Sequence, residues 1–312
     1  MISVVVPTYG RIAKLQRAID SVLQQQLLPS EIIIVDDCSP EPIRLEDLPQ
    51  SEIPIRLLRH DTNRGGSGAR NTGIMAAQFD LIAFLDSDDS WHPEKLAVQM
   101  KRIRAFGAAG ERIVSACNVF IARPDGEGRP YNTADRPETM DMSEWFLSQR
   151  GTYQTSGLLL PTALARAVLF DGRLRRHQDW DFLLRLEKFG AIVDYVHECL
   201  SIYNNEDDAD RLSRVRSAEP TLTWYSIQDG LLKPHSMLSY YMHECFAQHF
   251  RHAPLEAGLT TLKLAAHPGG YCYAARFLGK RGKQSFRDRA KKLLRRGLGS
   301  GPITVWLGVS AP

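Results

Sequence analysis

The chain has 312 residues, 43% hydrophobic and 24% charged, totals ordinary for a soluble globular protein that buries a sizeable core in one large domain or two smaller ones. Its net charge of +3 is local in origin: the stretch from Arg276 to Arg296 carries ten Lys and Arg against one acid, Asp288, which makes it +9 and leaves the remainder at −6. Five scattered cysteines, Cys38, Cys117, Cys199, Cys245 and Cys272, have neither zinc-site spacing nor close pairs, so they read as reduced thiols. No apolar run is long enough to span a bilayer, and the first residues enter a strand directly with no signal-peptide pattern. The expected setting is cytoplasmic, in solution or on a membrane surface.

In chain order, Ile2 to Val6 is an apolar, β-branched run suited to a central parallel strand, which Pro7 should stop. The stretch Arg11 to Gln26 puts Ile12, Leu15, Ile19, Val22 and Leu23 on one helical face. A second strand, Glu31 to Val35, runs into Asp36-Asp37-Cys38-Ser39-Pro40. This β-α-β unit should present Thr8, Tyr9, Asp36 and Asp37 to one crevice, because open α/β sheets bind ligands where strands end.

A third strand, Ile55 to Arg59, leads into Asn63-Arg64-Gly65-Gly66-Ser67-Gly68-Ala69-Arg70-Asn71-Thr72-Gly73, whose glycines let backbone approach a ligand or a neighbouring helix. It is no dinucleotide fingerprint, which belongs in the first β-α turn, here Pro7-Thr8-Tyr9-Gly10. The helix from Ser67 to Gln78 feeds the strand Leu81 to Leu85, which ends in Asp86-Ser87-Asp88-Asp89. Three carboxylates in four residues repel one another unless a cation or donors compensate. Either they cap the helix opened by Pro93, or they hold a hard divalent ion, Mg or Mn, with positions left for substrate phosphates.

Further on, a helix from Pro93 to Phe106 and a strand from Ile113 to Ala122 precede a Pro- and Gly-rich loop, Arg123 to Glu138. A short helix begun by Ser143, a strand-like Thr155 to Leu160, a helix from Gln178 with Asp179 and Asp181 in its first turn, and a strand from Ala191 to Val196 follow. From Asn204 the composition changes to a densely charged stretch, Asn205 to Arg216, and then to helical patterning. Phe286, Ala290, Leu293 and Leu294 form the apolar face of a basic helix that can lie on an anionic membrane, with Ile303 to Leu307 as a short anchor; a solvated face packed on the main domain is the plain alternative.

Taken together, Val5-Val6-Pro7-Thr8-Tyr9-Gly10-Arg11, Ile34-Val35-Asp36-Asp37-Cys38-Ser39, Gly68-Ala69-Arg70-Asn71-Thr72-Gly73-Ile74, Phe84-Leu85-Asp86-Ser87-Asp88-Asp89 and Gln178-Asp179-Trp180-Asp181 resemble the family 2 glycosyltransferases of GT-A fold. The resemblance covers about the first two hundred residues. It implies an α/β, mostly parallel, Rossmann-like sheet flanked by helices. Residues 1–110 would be the nucleotide-sugar-binding half, 111–205 the acceptor-binding half and 206–312 a mainly helical extension.

The implied activity is inverting transfer of a sugar from a nucleotide-sugar, most commonly a uridine one, to an acceptor hydroxyl in surface-polysaccharide synthesis. The donor site would draw on Pro7, Thr8, Tyr9, Arg11, Asp36, Asp37, Arg64, Gly68, Arg70, Asn71, Asp86, Ser87 and Asp88. A Mn or Mg ion would sit on Asp88, with Asp86 and Asp89 beside it, and Asp179 would be the catalytic base, although Gln178 stands where Glu is more usual before it. Asp181 competes for the base role but points to another side of the helix, two residues being roughly 200° apart. The partners expected are the nucleotide-sugar donor, a carbohydrate or lipid-linked acceptor and an anionic membrane surface through residues 276–307, with no nucleic acid. A sugar-1-phosphate nucleotidyltransferase and a non-catalytic binding partner of a polysaccharide assembly complex are the alternatives.

Overall fold

The computed structural model describes residues 1–123, 127–132, 136, 140–148, 151–204, 218–228 and 230–266. Of strands β1 (Ile2–Thr8), β2 (Glu31–Asp36), β3 (Ile55–Arg59) and β4 (Leu81–Phe84), the first two are joined by helix α1 (Ile12–Leu23) and the last two by helix α2 (Gly65–Ala76). The four strands are parallel in the order β3-β2-β1-β4, with Thr8 opposite Asp36 and Val5 opposite Phe84. That register brings the turns after β1, β2 and β4 out along one edge of the sheet. Pro7 does not stop β1: it pairs with Val35 inside the strand, where, one residue from the end, a missing N–H costs at most one ladder bond.

Beyond β4 come β5 (Ser90–Trp91), α3 (Lys95–Ala105), β6 (Ile113–Ala122), β7 (Gly128–Pro130), α4 (Met142–Leu147), β8 (Leu158–Pro161), α5 (Thr162–Val168), α6 (Gln178–Lys188) and β9 (Ile192–Asn204). The sheet runs β3-β2-β1-β4-β8-β6-β9-β5, with β7 on β6. The expected parallel character holds through β4. β8 then enters antiparallel to both β4 and β6, so the sheet is mixed. β9, expected to end at Val196, passes two register shifts against β6 and continues to Asn204. Its far end pairs with β5, Trp91 opposite Ser201.

Alternation along β1 builds the core on both faces of the sheet. Val4 and Val6 pack with Leu15 and Ile19 of α1 and Leu96 of α3. Val5 belongs to a cluster with Ile74 of α2 and Phe182 of α6 that extends to a helical C-terminal region. That region comprises α7 (Glu219–Ile227), α8 (Pro234–Tyr240), a π turn at Tyr241–Cys245, α9 (Phe246–His252) and α10 (Pro254–Ala266), and it adds Trp224, Tyr240 and Tyr241 to the same cluster. α2 lies so close to β1 that a Cβ on Gly73 would stand 2.3 Å from Val5 Cγ1.

The charged stretch Asn205 to Arg216, the basic helix Phe286 to Leu294, the Ile303 to Leu307 segment, the membrane surface at 276–307 and Cys272 lie outside the described residues. Among the described residues no helix is long and apolar enough to cross a membrane, and Cys38, Cys117, Cys199 and Cys245 are free.

Candidate active site

Three turns meet at the sheet edge. Asp37 N–H donates to Thr8 O at 2.9 Å and Gly10 N–H to Ser39 Oγ at 2.7 Å, which ties the turn after β1 to the turn after β2. Thr8 is buried and Tyr9 is 51% exposed at the mouth. Both aspartates expected at the nucleoside are engaged with the protein. Asp36, fully buried, accepts from Ser39 N at 2.8 Å and from the Arg59 guanidinium. Burial alone would raise its carboxyl, but the donors from Ser39 and Arg59 more than offset this and hold it below the usual carboxylate range. Asp37 accepts from the N–H groups of Arg64 (2.8 Å) and Gly65 (2.7 Å) at the start of α2, and its Oδ1 lies 2.7 Å from His60 Nδ1. It is a helix cap as well as a candidate ligand group.

The turn after β4 is closed by Asp89 N–H donating to Asp86 O at 2.9 Å. Its carboxylates are treated unequally. Asp86 Oδ1 accepts from Arg70 Nη2 at 2.5 Å, and Asp88 Oδ2 lies 3.5 Å from Arg11 Nη1, yet the two side chains stay 32% and 23% exposed. Arg11 reaches Asp88 from a left-handed backbone, φ 59°, which costs a non-glycine residue roughly 1–2 kcal/mol. Asp89 is buried and accepts from Ser156 Oγ at 2.6 Å; the same hydroxyl accepts from Asp86 N–H at 3.1 Å. Trp91 Nε1 donates to Ser156 O at 2.8 Å, so Ser156 is the keystone under the turn. Arg17 at 3.3 Å and Asn204 at 3.1 Å donate to the Asp88 carbonyl. Ser87 sits between the two accessible carboxylates, partly exposed.

Among the described residues no three His, Cys, Asp or Glu side chains are grouped as a complete metal shell. Asp86 and Asp88 offer hard, accessible oxygens from a single short turn. That donor set fits an ion that keeps most of its positions for water and phosphate, as Mg or Mn does. Asp89, buried on Ser156, serves the shape of the turn.

Helix α6 faces this turn. It is entered through His177, in left-handed backbone at φ 62° and buried, with Nε2 2.9 Å from Thr221 Oγ1; desolvation draws its pKa down to about 3, so the ring is neutral. Asp179 in the first turn accepts from Trp180 N–H at 3.0 Å and is partly exposed. Desolvation pushes its carboxyl up to about 6, with Arg70 pulling it down and Asp86 pushing it up. Asp179 therefore lies within electrostatic reach of the acidic turn. Asp181 is on the other side, buried, with Arg185 Nε at 2.7 Å and Trp224 Nε1 at 3.0 Å occupying its two oxygens. Trp180 stacks on Phe146 at 5.2 Å and donates to Thr152 Oγ1 at 2.7 Å, which makes it packing for α6.

Arg11, Arg70, Asp86, Asp88 and Asp179 thus converge, with Pro7, Thr8, Tyr9, Asp36 and Asp37 beside them. Asn71 does something else: its amide donates to Phe170 O at 2.8 Å and accepts from Phe170 N at 2.7 Å, bracing α2 against the loop before α6. With Arg64 and Gly68 it lines a shallow groove of about 470 Å3 beside Leu58 and Met75. Sequence reasoning did not single out Ser156, Arg17, His60 or Asn204. Ser156 is 70 positions from Asp86, and no local pattern marks it; in the sequence Asn204 marks only a change in composition.

The family description "Glycosyl transferase family 2" matches residues 3–156. Over 240 residues the chain is 30% identical to the amylovoran biosynthesis glycosyltransferase AmsB of Erwinia amylovora, spanning 75% of this chain and 78% of that protein. It is 27% identical over 263 residues to the putative teichuronic acid biosynthesis glycosyltransferase TuaG of Bacillus subtilis, spanning 81% and 96%. Among solved structures, S. aureus TarS 1-349 in complex with UDP-GlcNAc matches with a TM-score of 0.62 at 17% identity, over 84% of this chain and 79% of that one, a likeness of fold.

Proposed function

Since the chain is a glycosyltransferase of family 2 with the GT-A fold, we propose that its cleft moves a sugar from a nucleotide-diphosphate sugar, a UDP-sugar first, to an acceptor hydroxyl with inversion at the anomeric carbon. The observation that carries the reading is the placement of Asp179: a carboxyl raised to about 6, across the cleft from the acidic turn and sensing both Asp86 and Arg70. A base with a pKa near neutrality is ionised at working pH and still basic enough to take a hydroxyl proton. The relatives, a glycosyltransferase of amylovoran biosynthesis and a putative one of teichuronic acid biosynthesis, support a surface-polysaccharide acceptor, carbohydrate or lipid-linked. The UDP-GlcNAc bound in TarS supports a uridine donor.

In this reading Thr8, Tyr9 and Asp37 hold the nucleoside end of the donor, while Arg11 and Arg70 stand beside the diphosphate. Asp86 and Asp88 would hold a Mn or Mg ion, which supplies positive charge against the diphosphate as the glycosidic bond breaks. Asp179 accepts the acceptor hydroxyl's proton as that oxygen attacks the anomeric carbon from the face opposite the leaving nucleotide. The base contributes roughly 100- to 10,000-fold in rate. The test is Asp179→Asn: transfer from UDP-sugars collapses by that factor while calorimetric UDP affinity in Mn stays within about twofold. Normal turnover in the variant removes Asp179 from the mechanism.

A further inference from the structure

Gln178, the residue that opens α6, makes two hydrogen bonds of opposite sense. Its Oε1 accepts from Arg70 Nη1 at 2.9 Å, and its Nε2 donates to Leu174 O at 2.7 Å. Only an amide does both, because a carboxylate has no hydrogen for Leu174. The other arm of the Arg70 guanidinium is on Asp86 at 2.5 Å, and its Cζ stands 5.4 Å from the centre of the Phe170 ring. Arg70 is 8% exposed, so its position is set by these contacts and not by solvent. α2 leaves room for the bridge at Gly66, where a Cβ would come 3.0 Å from Arg70 Nη1 and 3.3 Å from Gln178 Oε1. Arg70 thus spans the cleft from the acidic turn to the start of α6.

We propose that Gln178 is a positioning residue: by holding Arg70 between Asp86 and the first turn of α6, it fixes the positive charge that Asp179 faces while it takes up the proton. The inference rests on the reading of Asp179 as the base. Among the described residues, the charged and titratable groups that act on Asp179 are Arg70 from α2 and Asp86 from the turn after β4, and Asp179 in turn acts on Tyr131, beyond β7. Arg70 is the cation among them. A neutral amide at 178 keeps that cation in place without adding a second negative charge next to the base. A carboxylate at 178 would compete with Asp86 for Arg70, oppose the Leu174 carbonyl and repel the ionised form of Asp179.

The test compares Gln178→Glu and Gln178→Met in the full chain. The readouts are the pH dependence of kcat/KM with a UDP-sugar and calorimetric UDP binding in Mn, with thermal midpoints confirming that both variants fold. The expected result is that Gln178→Glu moves the acid limb up by about one pH unit, while Gln178→Met keeps donor KM near wild type and loses about tenfold or more in kcat. A merely structural residue would lower stability and leave the limb where it is. An unmoved limb in Gln178→Glu, or full kcat in Gln178→Met, overturns the proposal. Asp179→Asn run beside them separates the two readings: if it keeps wild-type turnover the base assignment fails, and if it is dead while both Gln178 variants behave as wild type only the present inference fails.

Discussion

At the scale of the residue, Asp179, the proposed base, illustrates how a carboxyl with a raised pKa weakens the fold that carries it. Its folded pKa of about 6 lies above the unfolded value of 3.8. The sign follows from linkage: below pH 3.8 the group costs nothing, between the two values the cost grows with pH, and above about 6 it is complete. Asp179→Asn should therefore be more stable than wild type at pH 7, by on the order of 1 kcal/mol given its partial exposure, and equal to it near pH 3.5; chemical denaturation at the two pH values checks this. The kcat/KM profile of the wild-type chain should fall on the acid side with a midpoint near pH 6. An acid limb near pH 4 would mean that the ionising group lies elsewhere. Asp181 gives the contrast. Its oxygens are filled by Arg185 and Trp224, so Asp181→Asn should cost about 3–5 kcal/mol of stability while kcat per folded molecule changes little.

At the scale of the element, close approach is what makes the site possible. α2 must sit against β1 to bring Arg70 over the acidic turn, and Gly73 permits it, since a Cβ would strike Val5. Gly73→Ala should cost about 1–3 kcal/mol through overpacking, measured as a lower denaturation midpoint; an unchanged midpoint would mean that α2 can move outward freely. The elements legible from the sequence were those with an unmixed signal. β1, β2 and β4 are short apolar runs ending in turn residues, and α1 and α6 carry one apolar face. Less legible were elements defined by partners far along the chain. β5 is two residues long and exists because Trp91 finds Ser201 of β9. β9 continues past Val196 through polar His197 and Glu198 because the shifted pairing with β6 carries it on. Pro7 looks like a stop in the sequence, but it pairs with Val35, because strand position decides whether a proline's missing donor matters.

At the scale of the molecule, helix α6, which carries Asp179, is held between the sheet and the C-terminal helices. Trp224 of α7 is fully buried and donates to Asp181, while Thr221 of the same helix meets His177 at the entry to α6. Trp224→Ala should lower stability by about 3–5 kcal/mol and reduce kcat along with it, read by denaturation and initial rates. Loss of stability with kcat intact would show that α7 supports the fold without shaping the site. The chain's own pattern marks the acidic turn and the paired Asp36 and Asp37, each a cluster of charge where an apolar strand ends; Asp179, in the first turn of α6, stands out only through the family resemblance. The pattern could not reveal Ser156 or the Arg70 bridge, which are products of three-dimensional packing, nor that Asn71, inside a glycine-rich motif, is spent on Phe170.

The central claim is that the accessible pair Asp86 and Asp88 joins a divalent ion to a nucleotide diphosphate. Calorimetric titration of the intact chain with UDP, GDP and dTDP, each with and without Mn, on wild type and Asp88→Ala, tests it most directly. The account predicts Mn-dependent binding of UDP in preference to the other two, lost or weakened at least tenfold in Asp88→Ala. Equal UDP affinity with and without Mn, or an Asp88→Ala variant that binds as wild type does, would contradict it.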